Sequence, residues 1–374
     1  MKLLKLSLLT IFLTLNSGAA RCEENTVLFK DAAFPIIINV SADTAIGAVV
    51  YETQFSEAPA KDYDTVLING EMPDPRMRLQ IRVKNGAVVK IFDRSVMHRF
   101  PNGRFWAKYS IGPVTREPLK VTLINDGATS AHTFTIYGVE AFRATTMREN
   151  PEGGTVEDYK PDPGFYLPRE VPFTIFRREI WKAAPPKAAY APHTPKMFTL
   201  HHTQGNSPKN FEEAAQEMQF IQDYHQNGRG WIDIAYHFLI SPQGDIFEGR
   251  PINVVGAHTL NWNTANVGVS IMGNYHPPVN QIPTKETLNS FVEMGKYLKS
   301  TYSINVSSFY AHRDIGSTDC PGNILYARVP ELRDLIFKAE TPVPVPPTPI
   351  TPPSPPATPA DSPSLSQLLE YTDK

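Results

Sequence analysis

Two short segments of the 374-residue chain hold side chains able to bind a metal and polarise a carbonyl. His201 and His202 close an apolar run, Thr199-Leu200-His201-His202-Thr203. His312 and Cys320 stand eight positions apart in a segment rich in small and polar residues, from Tyr310 to Gly322. One histidine of the pair, with His312 and Cys320, makes a two-nitrogen, one-sulfur ligand set. Zinc accepts such a set with water in the fourth tetrahedral position, and an open fourth position separates a catalytic site from a structural one. Two neutral imidazoles and a thiolate leave the ion a net charge of +1. That lowers the pKa of bound water toward neutrality and polarises a carbonyl beside it. Spacing alone does not choose between His201 and His202. It also admits a core histidine and a buried cysteine acting as a small hydrophobe.

Such side chains meet only if strands and helices bring them together. Residues 197–200, 235–240 and 266–272 are apolar enough to be buried strands. Residues 209–226 place Phe211, Ala214, Ala215, Met218, Ile221 and Tyr224 at helical spacing. Residues 284–302 repeat the pattern with Leu288, Phe291, Val292 and Leu298, and Thr284 follows Pro283 as an N-cap. The alternation predicts an α/β domain over 173–340.

Upstream, residues 27–142 alternate like β structure. Candidate strands at 35–40, 46–53, 77–84, 87–92, 119–125 and 132–142 are rich in Val, Ile, Thr, Phe and Tyr. Lys84-Asn85-Gly86 and Asn125-Asp126-Gly127 carry turn chemistry between them. This predicts an all-β sandwich, jelly-roll-like, over 24–145. Its Phe100, Phe105, Trp106 and Tyr109 either pack in a core or form an aromatic platform for glycan. His98 and His132 have no metal-binding neighbours in sequence. Residues 146–172 mix charge with Pro and Gly and read as a linker.

The ends have their own composition. Lys2 and Lys5, an apolar run over 6–15 and the small residues Ser17-Gly18-Ala19-Ala20 read as an export signal over 1–20. Arg21 precedes Cys22 where lipidation would need a small residue. Eleven prolines crowd 341–363, so the tail over 341–374 cannot build a packed core and favours extended polyproline II, as a spacer or a solvated end. With 41 % hydrophobic residues, 20 % charged residues and a net charge of −2, global disorder and a basic footprint for nucleic acid are both excluded. Two cysteines exclude a disulfide-stapled scaffold. No run after the signal reaches the roughly 18 apolar residues of a spanning helix.

Seven segments in the order and spacing of one family complete the reading. Arg178-Glu179-Ile180-Trp181 looks like its opening segment, and Leu200-His201-His202-Thr203 its first metal segment. Gly230-Trp231-Ile232-Asp233-Ile234-Ala235-Tyr236-His237-Phe238 and Gly244-Asp245-Ile246-Phe247-Glu248-Gly249-Arg250-Pro251 follow. Gly256-Ala257-His258 with Asn266-Val267-Gly268-Val269-Ser270, and His312-Arg313-Asp314 through Thr318 to Cys320-Pro321-Gly322, close the set. Over roughly 173–338 the chain resembles peptidoglycan recognition proteins and phage-lysozyme-type zinc N-acetylmuramoyl-L-alanine amidases.

The resemblance implies a central mixed sheet flanked by helices and one Zn2+ held by His201, His312 and Cys320. His202 falls beside the ligands as a neighbour of the metal and a candidate substrate contact. Tyr236 and Thr318 fall on catalytic positions, where their hydroxyls would stabilise charge developing on a carbonyl oxygen. The implied reaction is hydrolysis of the amide between muramic acid and L-alanine in peptidoglycan or muropeptides. Arg250, His258, Trp262, Asn263 and Asn266 lie in segments that line the family's substrate groove. The chain departs from cytosolic relatives with an aspartate ligand, and it lacks the extra disulfide typical of animal recognition domains. With the export signal, this suggests a bacterial protein of the periplasm, cell envelope or medium, expected to be a monomer. A non-catalytic peptidoglycan-binding module is the alternative, and the β region could add a glycan contact.

Overall fold

Period-two alternation is plain in the first strand, β1 (Ile36–Val40), where Ile36, Ile38 and Val40 are buried and Ile37 and Asn39 face outward. The computed structural model describes residues 25–145 and 162–338. The expected export signal, the tail over 341–374 and most of the expected linker lie outside the described residues. Eight further strands follow in the first part: β2 (Val49–Glu52), β3 (Tyr63–Glu71), β4 (Met77–Asn85), β5 (Val88–Asp93), β6 (Val96–Arg99), β7 (Arg104–Thr115), β8 (Leu119–Asn125) and β9 (His132–Phe142). They form two antiparallel sheets, ordered β1-β9-β3-β7-β6 and β2-β8-β4-β5. A core that includes Val66, Ile68, Leu79, Ile81, Val121, Leu123 and Phe134 holds them together.

Both expected turns form. Gly86 takes a φ of +61° between β4 and β5, a conformation glycine adopts without strain. Asn125 Oδ1 accepts from the N–H groups of Gly127 and Ala128 at 2.9 and 2.7 Å, closing an Asx-type turn.

The aromatic platform does not form, because Phe105, Trp106 and Tyr109 are buried. Tyr109 and Phe105 belong to the sandwich core. Trp106 joins Leu67 and Phe142 in a separate cluster with Trp181, Met218, Phe220 and Ile221 of the following region. One sheet of the β region is therefore apolar on both faces, with the second face packed on its neighbour.

That neighbour is built on a six-stranded mixed sheet. Its strands are β10 (Ile175–Phe176), β11 (Met197–His202), β12 (Phe238–Ile240), β13 (Ile246–Glu248), β14 (Asn266–Ile271) and β15 (Phe309–Ala311). The order is β10-β13-β12-β14-β11-β15, and β12 with β13 is its antiparallel pair. The helices are α1 (Phe211–Asp223), extended by a π-helical turn (Tyr224–Arg229), then α2 (Lys285–Tyr302), α3 (His312–Ile315), α4 (Asn323–Tyr326) and α5 (Val329–Phe337).

Alternation along β12 assigns the two faces. Phe238 and Ile240 pack with Phe291, Met294 and Leu298 of α2 and Leu332 and Ile336 of α5. Leu239 packs with Ala214, Met218 and Ile221 of α1. The N-caps follow the sequence: Asn210 Oδ1 accepts from Glu213 N–H at 2.9 Å, and Thr284 Oγ1 from Thr287 N–H at 3.1 Å. The described end of the expected linker is folded, with Leu167 buried in the same core as α2. Among the described residues no helix is long and apolar enough to cross a membrane.

Candidate metal centre and active site

The central strand β11 runs parallel to β14 on one side and β15 on the other. Its C-terminal end carries His201 and His202. In register, Leu200 pairs with Ala311, so His312, the first residue after β15, emerges beside His201. The ring centroids of His201 and His312 are 4.5 Å apart. The loop after α3 then folds back. Arg313 N–H donates to Cys320 C=O at 3.0 Å, and Cys320 N–H to Thr318 Oγ1 at 3.1 Å. This turns Cys320 Sγ toward β11, 3.6 Å from His201 Nδ1. Gly322, at φ +88°, makes the return feasible: a Cβ there would stand 2.4 Å from the backbone carbon of Tyr275.

His201, His312 and Cys320 are all buried and offer ligand atoms within 4.8 Å of one another. Three features fit them to zinc. Donors at about 2.3 Å (sulfur) and 2.05 Å (nitrogen) from one ion, at the tetrahedral angle, stand about 3.5 Å apart, close to the 3.6 Å between Cys320 Sγ and His201 Nδ1. His312 Nδ1 is buried with no hydrogen-bond partner among the described residues. Burial holds all the imidazoles here in the neutral form that coordinates metal. His312 is pushed down to about 4, and His201 well below the usual histidine range.

A hydrogen-bond relay chooses between the two histidines. His258 Nε2 lies 3.1 Å from the Asn266 carbonyl, which only accepts, so that nitrogen carries the proton. His258 Nδ1 is then an acceptor, and His201 Nε2 donates to it at 3.0 Å. His201 Nδ1 is left as a bare lone pair facing Cys320 and His312. His202 is occupied differently: its Nδ1 accepts from Tyr275 N–H at 3.3 Å, and its backbone N–H points at Cys320 Sγ at 3.4 Å. A donor to sulfur favours the thiolate.

Tyr236 is half-buried with its ring centroid 5.2 Å from that of His201. Thr318 Oγ accepts from Cys320 N–H, which leaves its own hydroxyl proton to donate. Tyr236, Thr318, Cys320 and His202 line one cavity.

The five residues expected along a groove are placed differently. Arg250 is 1 % exposed, and its guanidinium donates to the carbonyls of Ile234, Asp233 and Val255, so it ties together the loops before β12 and after β13. His258 acts on His201, as described. Asn263 Oδ1 accepts from His258 and Thr259 N–H, fixing that turn. Asn266 Nδ2 donates to Trp262 C=O, and its Oδ1 accepts from Thr199 Oγ1. Trp262 is the exposed member, its ring 6.2 Å from that of Tyr310.

Sequence reasoning missed the structural purpose of Asp233, whereas Trp181 packs in the core as its type and place suggest. Asp233 is fully buried and bound by Arg178 and Tyr190, and Trp181 donates its indole N–H to Glu248 C=O at 2.8 Å. It also missed Arg104 of β7 and Glu217 of α1, a buried ion pair on the cavity wall. Their distance in sequence leaves no local signal.

Comparison with known proteins identifies the family. The family described as N-acetylmuramoyl-L-alanine amidase matches residues 191–323. Peptidoglycan-recognition protein SC2 of Drosophila melanogaster is 35 % identical over 162 residues, 42 % of this chain and 84 % of that protein. Peptidoglycan recognition protein 1 of Mus musculus is 35 % identical over 163 residues, 41 % of this chain and 84 % of that one. A Homo sapiens N-acetylmuramoyl-L-alanine amidase is 35 % identical over 168 residues, 41 % of this chain and 27 % of the human protein.

Proposed function

From the premise that the chain belongs to the peptidoglycan-recognition and N-acetylmuramoyl-L-alanine amidase family, we propose that it is an exported, zinc-dependent N-acetylmuramoyl-L-alanine amidase. The substrate is peptidoglycan or its muropeptides, and the bond cleaved joins the lactyl carbonyl of muramic acid to L-alanine. The observation that carries this reading is the buried donor triad His201, His312 and Cys320 beside two hydroxyls in one cavity.

Zinc bound there would polarise the scissile carbonyl and supply a nucleophilic water at neutral pH. His258 holds the tautomer of His201 that faces the other two donors. Tyr236 and Thr318 donate hydrogen bonds to the carbonyl oxygen as charge develops on it. Burial of the triad keeps competing bulk water from screening those donors. In the β region the order β1-β9-β3-β7 against β2-β8-β4-β5 interleaves strands between sheets as a jelly roll does, and we read it so.

The relatives include proteins named for recognition, so the second reading is binding without cleavage. The intact thiol ligand favours catalysis. The test is mass spectrometry of purified peptidoglycan and defined muropeptides after incubation with the protein, with chelator and with zinc restored. Free stem peptides beginning at L-alanine should appear, vanish with chelator and return with zinc, and Cys320→Ser should lower the rate at least about 100-fold. Binding to the wall without cleavage in any of these conditions selects the recognition reading.

A further inference from the structure

The cavity beside the donor triad has a volume of about 530 Å³, and both sheet regions line it. Tyr236, Thr318 and Cys320 contribute from the α/β region; Ala33, Arg104 and Tyr137 contribute from the β region. Its size lies in the range of clefts that enclose a small ligand.

The β region is fixed in place against α1 and its π-helical extension. Leu67, Trp106 and Phe142 share one apolar cluster with Met218, Phe220 and Ile221. Trp106 Nε1 donates to Asp223 at 2.7 Å, His98 Nδ1 lies 2.8 Å from the same carboxylate, and Glu140 accepts from Arg229 at 2.6 Å. Gly228 packs so closely that a Cβ there would stand 3.3 Å from Leu67.

Two charged side chains in the cavity wall have unspent hydrogen-bonding capacity. Arg104 is 2 % exposed and Glu217 is fully buried, and Arg104 Nε lies 3.1 Å from Glu217 Oε2. Yet neither that nitrogen nor either carboxylate oxygen completes a hydrogen bond among the described residues. The guanidinium is held over the rings of Tyr137 and Phe220, 4.5 and 4.0 Å from their centroids. Gly205 packs close against the pair: a Cβ there would stand 3.2 Å from Arg104 Nη2 and 3.4 Å from Glu217 Oε1. Buried polar atoms without partners are uncommon in folded proteins and point to a missing ligand or water. An acceptor pair and a planar donor side by side match the N–H and C=O of a peptide unit.

We propose that the β region is a second wall of the substrate cleft, and that Arg104, with Glu217 of α1, binds the stem peptide beyond its L-alanine. The inference rests on the amidase reading and names what sets its specificity. The amide at the donor triad then needs no contact with the β region, whereas the following residues of the stem do.

The experiment uses the full chain with two substrates, N-acetylmuramoyl-L-alanine and a disaccharide tetrapeptide, and three proteins: wild type, Ala33→Trp and Ala33→Ser. Ala33 is exposed, so the tryptophan enters the cavity without disturbing a core, and thermal unfolding checks this. Ala33→Trp should raise KM for the tetrapeptide substrate at least tenfold, with kcat held, and leave the short substrate as in wild type. Ala33→Ser should match wild type on both. Equal effects of Ala33→Trp on both substrates, or none on either, overturn the wall while cleavage by wild type upholds the amidase. If wild type cleaves neither, the amidase reading fails, and calorimetric binding of the same two ligands decides the wall by the same difference in Kd. Binding of neither ligand overturns both.

Discussion

The tautomer of one imidazole decides whether this site can hold a metal. His201 presents Nδ1 to Cys320 because its other nitrogen donates to His258, and His258 is itself fixed by the carbonyl of Asn266. Removing the middle of that relay frees the His201 ring to rotate or to protonate at Nδ1. Partners of this kind hold metal affinity within a factor of about 10–100. We therefore expect His258→Ala to weaken zinc binding by about that factor, read by competition with a chromophoric chelator. An unchanged affinity would show that packing alone orients His201. His258→Ala should lose hydrolysis only where zinc is limiting and regain much of it in excess zinc, a pattern that loss of a substrate contact would not give.

Elements were legible in the sequence where one face meets water. The helical period of α1 and α2, the cap at Thr284 and the turns at Gly86 and Asn125 follow from side-chain chemistry within a few residues. Substituting Thr284→Ala should cost about 1 kcal/mol, since it removes the acceptor for Thr287 N–H. Chemical denaturation would show it as a lower midpoint with an unchanged slope. Strands β3 and β7 were not legible. The middle of β3, from Thr65 to Ile68, is buried without a break. Leu67 and Trp106 face the α1 side while Val66 and Ile68 face the sandwich core. Alternation vanishes when both faces are covered, and only the partner region explains the second face. The donor triad was readable because its chemistry survives in residue types and spacing. The choice of His201 over His202 needed the family likeness, and its reason is the relay, which is non-local. Arg250 and Asn263 sit in the expected segments yet bond to backbone, and Asn266 bonds to Trp262 C=O and Thr199 Oγ1, a distinction that residue type cannot carry.

At the scale of the whole molecule, the two sheet regions are joined through charge as well as apolar surface, and the joint carries a pH signature. Burial pushes Glu217 up to about 7, Arg104 beside it pulls the other way, and Glu71 adds to the rise. A glutamate in the unfolded chain titrates near 4.3. Between about pH 4.3 and 7 the folded state thus keeps a proton that the unfolded state has released. Stability from this group falls as pH rises through that window and is level above it. A shift of this size corresponds to a contribution on the order of 3–4 kcal/mol between the two ends. Glu217→Gln carries no titrating proton, so its unfolding free energy should lack this component. The difference between wild type and Glu217→Gln, measured by denaturation at pH 5 and pH 8, should move against wild type as pH rises. Parallel curves would mean that Arg104 keeps the carboxylate ionised throughout and that the ion pair outweighs its desolvation. The measurement thus weighs attraction between the regions against the cost of burying the charges that join them.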